Sequence, residues 1–243
     1  MPSMKPKIRL FVDHVLQNGH SVPLTREQAH YLFGVMRLSH GDHIALFNGY
    51  NGEWRAIIER TQKKRSQLLC LEQTQMQRNP PDLWLIFAPV KKARTDFIVE
   101  KAVELGAAKI LPVQTEFTNS ERIRQDRLQA HATEAAEQCG GTFVPQVCKL
   151  KKLYKLLADW PKERQLLFCD EAKIGVSTSL AACQGSKWAI LIGPEGGFSQ
   201  NEREYIANMK NSHSISLGPR ILRADTAAVA ALTLWQSRLG DWA

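Results

Sequence analysis

At 243 residues the chain is long enough for one large or two modest domains, and its 44% hydrophobic and 23% charged residues are ordinary for a globular protein. An excess of 32 Lys and Arg over 24 Asp and Glu leaves a formal charge of +8, which points toward a polyanionic partner. No window reaches the roughly 18 apolar residues of a membrane span, the N-terminus lacks a signal-peptide core, and the five cysteines, Cys70, Cys139, Cys148, Cys169 and Cys183, never form CxxC, so a reduced cytoplasmic protein without a zinc site is expected.

The first segment, residues 1–72, reads as β-rich. A short helix is expected near residues 25–36. Residues 43–47 and 53–58 flank the turn Asn48-Gly49-Tyr50-Asn51-Gly52 and predict a hairpin, and residues 66–72 predict a third strand, together a small barrel. His40 and His43 form H-x-x-H on a turn but lack a third ligand, so no metal is expected there. Residues 73–82 are polar and end in Pro80-Pro81, which predicts a linker. From residue 83 to 243 the pattern changes to alternating strands and helices: strands at 83–88, 109–113, 166–169, 188–192 and 214–217, helices at 96–105, 120–139 and 225–239. Gly106 stands where it would end the first of these helices. Such alternation predicts an α/β domain with a mostly parallel sheet, whose ligands sit beyond the carboxyl ends of the strands.

Three loops are therefore expected to meet: Asp170-Glu171-Ala172, the turn Gly193-Pro194-Glu195-Gly196-Gly197, and residues 217–226. The glycine turn follows a buried strand and precedes a helix that opens with the S-x-x-E capping box Ser199-Gln200-Asn201-Glu202. Glycines allow left-handed backbone or close approach of another molecule, yet neither GxxxxGK[ST] nor GxGxxG is present. Glu195, read as a buried acid, would repel a phosphate, so a neutral or cationic ligand fits better. A tight turn that merely packs a helix on a sheet is the alternative. In the third loop, Ile221 and Leu222 are apolar residues among polar ones and call for a cover.

Two of these loops carry a resemblance. Gly193-Pro194-Glu195-Gly196-Gly197-Phe198-Ser199 and Leu217-Gly218-Pro219-Arg220-Ile221-Leu222-Arg223, followed by Asp225-Thr226-Ala227, are similar to the cofactor-loop signatures of the RsmE family, in the SPOUT superfamily of trefoil-knotted methyltransferases. The run from Arg94 to Gly106, the run from Glu134 to Gly140, and the segment from His30 to Leu38 resemble further motifs of that family, so the likeness spans nearly the whole chain. It implies an N-terminal PUA-like barrel that binds RNA, a knotted C-terminal domain and a homodimer. It also implies S-adenosylmethionine as cofactor and methylation of N3 of one uridine in the decoding region of 16S ribosomal RNA, in the assembled small subunit.

On that resemblance, Ile192, Gly193, Leu217 and Gly218 would read the adenine edge through backbone groups. Ile221 and Leu222 would cover its faces, and Glu171, Pro194, Glu195, Gly196 and Thr226 would complete the cofactor site. Arg223 is the candidate catalytic residue, stabilising negative charge on the uracil oxygens, with a salt bridge to Glu195 or Asp225 as its structural alternative. Arg9, His30 and Arg37 match RNA-facing positions of the first domain, and Lys91 and Arg94 lie at the mouth of the first strand of the second. Two departures stand out: Ala224-Asp225 replaces a threonine-glutamate pair, and Gly141 replaces an arginine. Methylation of another RNA nucleoside and a catalytically silent RNA-binding protein on the same fold remain as rival readings.

Overall fold

The computed structural model describes residues 6, 8–62, 65–119, 122–170 and 185–243. The chain forms two compact units, one of Met1–Asn79 with Ala136–Phe143, the other of Pro80–Ala135 with Val144–Ala243.

The first unit is a curled five-stranded sheet, a half-barrel in the order β1-β3-β4-β5-β2. Its strands are β1 (Arg9–Phe11), β2 (Ser21–Pro23), β3 (His43–Phe47), β4 (Glu53–Gln62) and β5 (Arg65–Gln75). The hairpin and third strand stand where the alternation predicted them. The two edge strands did not announce themselves, because each has three residues and β2 ends in a proline that an edge tolerates. Strand β5 also runs on through Gln75, into the expected linker. The sheet curls around Leu10, Val12, Leu32, Ile44, Ile58 and Leu68, all buried. The expected helix near residues 25–36 is two pieces: α1 (Arg26–Ala29), opened by a Thr25–Gln28 capping box, and a π-helical stretch, His30–Val35. His40 and Asp42 serve the turn before β3, His40 Nδ1 lying 2.9 Å from the Ile58 carbonyl and Asp42 accepting from the Ser39 amide at 2.7 Å.

The second unit is built on a parallel sheet in the order β12-β10-β11-β6-β7-β8, with a further short strand, β9, on β7. The strands are β6 (Asp82–Phe87), β7 (Lys109–Gln114), β8 (Gln146–Val147), β9 (Lys151–Lys152), β10 (Gln165–Cys169), β11 (Lys187–Ile192) and β12 (Ser212–Ile215). Interspersed are α2 (Lys92–Glu104), α3 (Gln125–Cys139), whose residues from Ala136 on belong to the first unit, α4 (Leu153–Ala158), α5 (Gln200–Ala207) and α6 (Ala224–Leu239). Strands buried on both faces read as continuous apolar runs, as in Trp188-Ala189-Ile190-Leu191-Ile192, all within 2% exposure. Three elements, β8, β9 and α4, escaped prediction because they are too short to display a period.

Local chemistry sets several boundaries. Gly106, at φ +74°, ends α2, with the Ala107 amide donating to the Ala102 carbonyl at 2.8 Å. The buried Gln236 of α6 donates to the Leu105 carbonyl at 2.7 Å and so joins α6 to the end of α2. At the same amino ends of the strands, Arg164 Nη2 donates to both Asp82 carboxylate oxygens at 2.8 and 2.9 Å, and the guanidinium stacks 3.6 Å from the Trp84 ring centre. Strand β12 stops at Ile215, two residues before the expected end, which releases Ser216 and Leu217 into the following loop.

Candidate active site

Strands β10, β11 and β12 end side by side: Cys169 pairs with Ile192 on one flank and with Ile215 on the other. Beyond those ends lies an open cleft. Its walls come from Asp170, the Gly193 turn and the loop from Ser216 to Leu222, closed by Ala224 and Ala227 of α6.

The glycine turn is held from beneath. Gly197 takes φ +69°, and its amide donates to the Pro194 carbonyl at 2.9 Å. Gly193 and Gly196 keep negative φ, and their role is space rather than left-handed backbone. A Cβ on Gly193 would sit 2.6 Å from the Phe198 ring, and one on Gly196 would sit 3.1 Å from Phe117 Cβ. Phe198 is buried and packs edge-on against Phe168 of β10, with ring centres 4.9 Å apart. The turn can fold back over its own phenylalanine because residue 193 lacks a side chain. Ser199 and Glu202 then form the predicted capping box, and the buried Glu202 also accepts from the Glu116 amide at 3.0 Å.

Charges at the cleft are arranged in pairs. Asp170 is buried and meets Arg203 of α5, whose Nε donates to the Phe198 carbonyl at 3.0 Å; burial lowers the Arg203 pKa. Arg94, in the first turn of α2, lies 3.6 Å from Glu195 and 3.9 Å from Asp225, one acid from each of two loops. Glu195 is not buried: its side chain is 47% exposed, because it stands at the tip of the turn. Ile221 is 82% exposed at the opposite lip. Burial also raises the pKa of the Cys169 thiol, which makes it a poor nucleophile.

Residues 77–236 match the family described as the RNA methyltransferase domain, and residues 24–69 match the RNA methyltransferase PUA domain. The ribosomal RNA small subunit methyltransferase E of Rickettsia conorii is 31% identical, over 92% of this chain and 93% of that protein. The chain belongs to the ribosomal RNA small subunit methyltransferase E family. The Bacillus subtilis protein of that name is 28% identical, over 93% of this chain and 94% of its own length. The Neisseria gonorrhoeae methyltransferase E, solved with S-adenosylmethionine, superposes with a TM-score of 0.87 at 27% identity, covering 97% of this chain and 99% of that one.

In this chain, Ile192, Gly193, Pro194, Glu195, Leu217, Gly218, Ile221 and Leu222 all line the cleft. Gly196 sits in the same turn against Phe117, Thr226 is exposed in the first turn of α6, and Glu171 lies outside the described residues. Arg223 is exposed at the N-cap of α6, between two cleft residues; the acids proposed as its structural partners belong to Arg94 instead. Lys91 is exposed at the N-cap of α2, and Arg94 faces Glu195 and Asp225 at the cleft. In the first unit His30 is exposed and its ring lies over Gly34, where a Cβ would come within 3.0 Å of Nδ1. Arg37 is exposed in left-handed backbone, φ 58°, a conformation that costs a non-glycine residue about 1–2 kcal/mol.

Arg9 is a correction. Its guanidinium is committed to protein acceptors: Nε donates to Glu53 at 2.7 Å, Nη1 to the Ala136 and Glu137 carbonyls at 2.6 and 3.0 Å, and Nη2 to the Gly141 carbonyl at 2.7 Å. With its side chain 12% exposed, it organises the first unit rather than facing RNA. The reading from residue types missed Asp170–Arg203 as a pair and the double role of Arg94. Both depend on residues far apart in the chain.

Proposed function

We propose that this chain methylates N3 of a single uridine in the decoding region of 16S ribosomal RNA, with S-adenosylmethionine as methyl donor. The proposal includes action as a cytoplasmic homodimer on the assembled small subunit. The observation that carries it is the cleft beyond β10, β11 and β12: apolar walls and backbone groups on two sides, with carboxylates at its base and rim.

That donor set fits the cofactor. Backbone groups of Ile192, Gly193, Leu217 and Gly218 suit the edge of a flat, neutral adenine, and the exposed Ile221 with Leu222 gives its faces an apolar cover. Gly218, at φ +114° with no atom near an added Cβ, leaves its side of the cleft clear. Asp170 and Glu195, though each is paired with an arginine, give the cleft carboxylate oxygens that suit a sulfonium better than a phosphate. Bound there, the cofactor supplies an electrophilic methyl group. The protein supplies position and electrostatics.

Uracil N3 carries a proton that must leave before the nitrogen can accept a methyl group. Arg223, exposed at the rim, stabilises the negative charge that then spreads to the uracil oxygens. Among the described residues the two carboxylates lining the cleft, Asp170 and Glu195, are already paired with arginines, so the proton passes to solvent. A stacked uridine must be turned out before N3 can enter. The exposed His30 and Arg37 of the first unit grip the RNA backbone, as a basic RNA-binding surface does.

Transfer of labelled methyl to unmethylated small subunits, followed by nucleoside mass spectrometry, tests the reading. N3-methyluridine at one site is the expected product. A different methylated nucleoside, or none despite cofactor binding, overturns it.

Gly193→Ala is expected to weaken S-adenosylmethionine binding about tenfold, a loss of ~1.4 kcal/mol. The new methyl must displace the Phe198 ring and with it the wall of the cleft. Calorimetric titration checks this; unchanged affinity means that the turn does not shape the cofactor site.

A further inference from the structure

We infer that a groove between the start of α2 and the segment leading into α3 binds the phosphate backbone of the RNA substrate, as a second anchoring site beside the cofactor cleft. The inference rests on the RNA methyltransferase reading above and deepens it. The groove is lined by four cations, Lys92, Arg122, Arg124 and Arg127, over an apolar base that includes Val90 and Leu128.

Two of the four are balanced. Arg127 pairs with Asp96 at 2.5 Å and Arg124 with Asp126 at 2.6 Å. Lys92 and Arg122 are exposed and have no ion pair among the described residues, so the groove carries surplus positive charge from two separate elements. Guanidinium forks and a lysine beside them are the set that recognises phosphate oxygens.

The first turn of α2 supports this from a different direction. Its N-cap, Lys91, makes no side-chain capping bond, and the turn has no acid; instead it carries Lys92 and Arg94. Cations at a helix N-terminus oppose the helix dipole, whose positive end attracts anions, even though the Arg94 amide there already donates to the Lys91 carbonyl at 2.9 Å. A phosphate in the groove offsets both. The same turn sends Arg94 to Glu195 and Asp225, so the groove and the cofactor loops adjoin one helix start. An RNA strand held by Lys92 and Arg122 is thereby placed beside the cleft where its base reacts.

The test uses the full chain with Lys92→Gln and Arg122→Gln combined, both at exposed positions. Methyl transfer to unmethylated small subunits is followed at several subunit and KCl concentrations, and cofactor affinity is measured separately. The expected result is a KM for the subunit raised about tenfold, with kcat and cofactor affinity kept. The salt dependence of log(kcat/KM) should become shallower by roughly one to two. Lys92→Arg with Arg122→Lys should restore most of the loss.

Unchanged KM and salt slope overturn the proposal, as does a loss of cofactor affinity that accounts for the whole effect. Filter binding of the subunit is measured in parallel, so the groove is judged even if the unsubstituted chain transfers no methyl. In that case the groove stands if the double variant binds more weakly with a shallower salt slope, and falls if it does not.

Discussion

Arg223→Ala is expected to lower kcat for methyl transfer by about 10²–10³, the usual cost of removing one donor aimed at developing negative charge, while cofactor affinity stays within about twofold. Three features of the site lead to this split. Arg223 is exposed at the N-cap of α6 and makes no side-chain capping bond, so the helix does not need it. A cation at that end even opposes the dipole, and its removal should leave stability unchanged or raise it by a few tenths of a kcal/mol. The acids that could have tied it down, Glu195 and Asp225, face Arg94. Single-turnover kinetics and cofactor titration on the same preparation give the answer. Retained kcat removes Arg223 from the chemistry, and a proportional loss of cofactor affinity reassigns it to binding.

Arg9→Ala should have the largest effect on stability, a loss of about 3 kcal/mol in the first unit. The arginine is nearly buried against Glu53, itself 6% exposed, and its guanidinium also lies 4.6 Å from the Phe47 ring centre. Removal strands a carboxylate and leaves the carbonyls of Ala136, Glu137 and Gly141 without their donor. Burial alone would raise the Glu53 pKa, but hydrogen bonds from Arg9, Thr74 and Gln75 and the charge of Arg9 together bring it below the ordinary value.

The pH dependence follows from that direction. A depressed folded pKa contributes stability above the ordinary glutamate value of about 4.3, and that contribution is lost as the pH falls through the folded value. The gap between parent and Arg9→Ala should therefore be full at pH 7 and shrink below about pH 4. Urea unfolding combined with amide exchange in β1, β3 and residues 136–143 measures it. A difference under about 1 kcal/mol at pH 7, or one that grows with acid, would contradict the assignment. Any loss of methylation in this variant should track unfolding rather than a missing RNA contact.

The departures from the family pattern acquire a place in the structure. Gly141, where relatives are expected to carry an arginine, offers its carbonyl to Arg9. Asp225, with a shorter reach than glutamate, still comes within 3.9 Å of Arg94. Ala224 is buried against the cleft, where the hydroxyl of a threonine would need a partner.

What the sequence determined by itself was whatever its neighbours decide within a few residues. The buried strand before Gly193, the capping box of Ser199 and Glu202, the stop at Gly106 and the hairpin around residues 48–52 rest on local torsions and short hydrogen bonds. The alternation of strands and helices picked out the loops that meet at the cleft, and the family resemblance named most of the residues that line it, because each loop is one stretch of chain. Tertiary structure alone decided what distant residues do to one another. Gly193 is needed for the ring of Phe198, which packs on a strand from elsewhere in the sheet. Arg94 bridges acids from two later loops, and Arg9 closes on carbonyls at the end of α3. An arginine has the same charge and length in every sequence context. Its role is set by which acceptors the folded backbone brings within about 3–4 Å, and that distance is a property of packing.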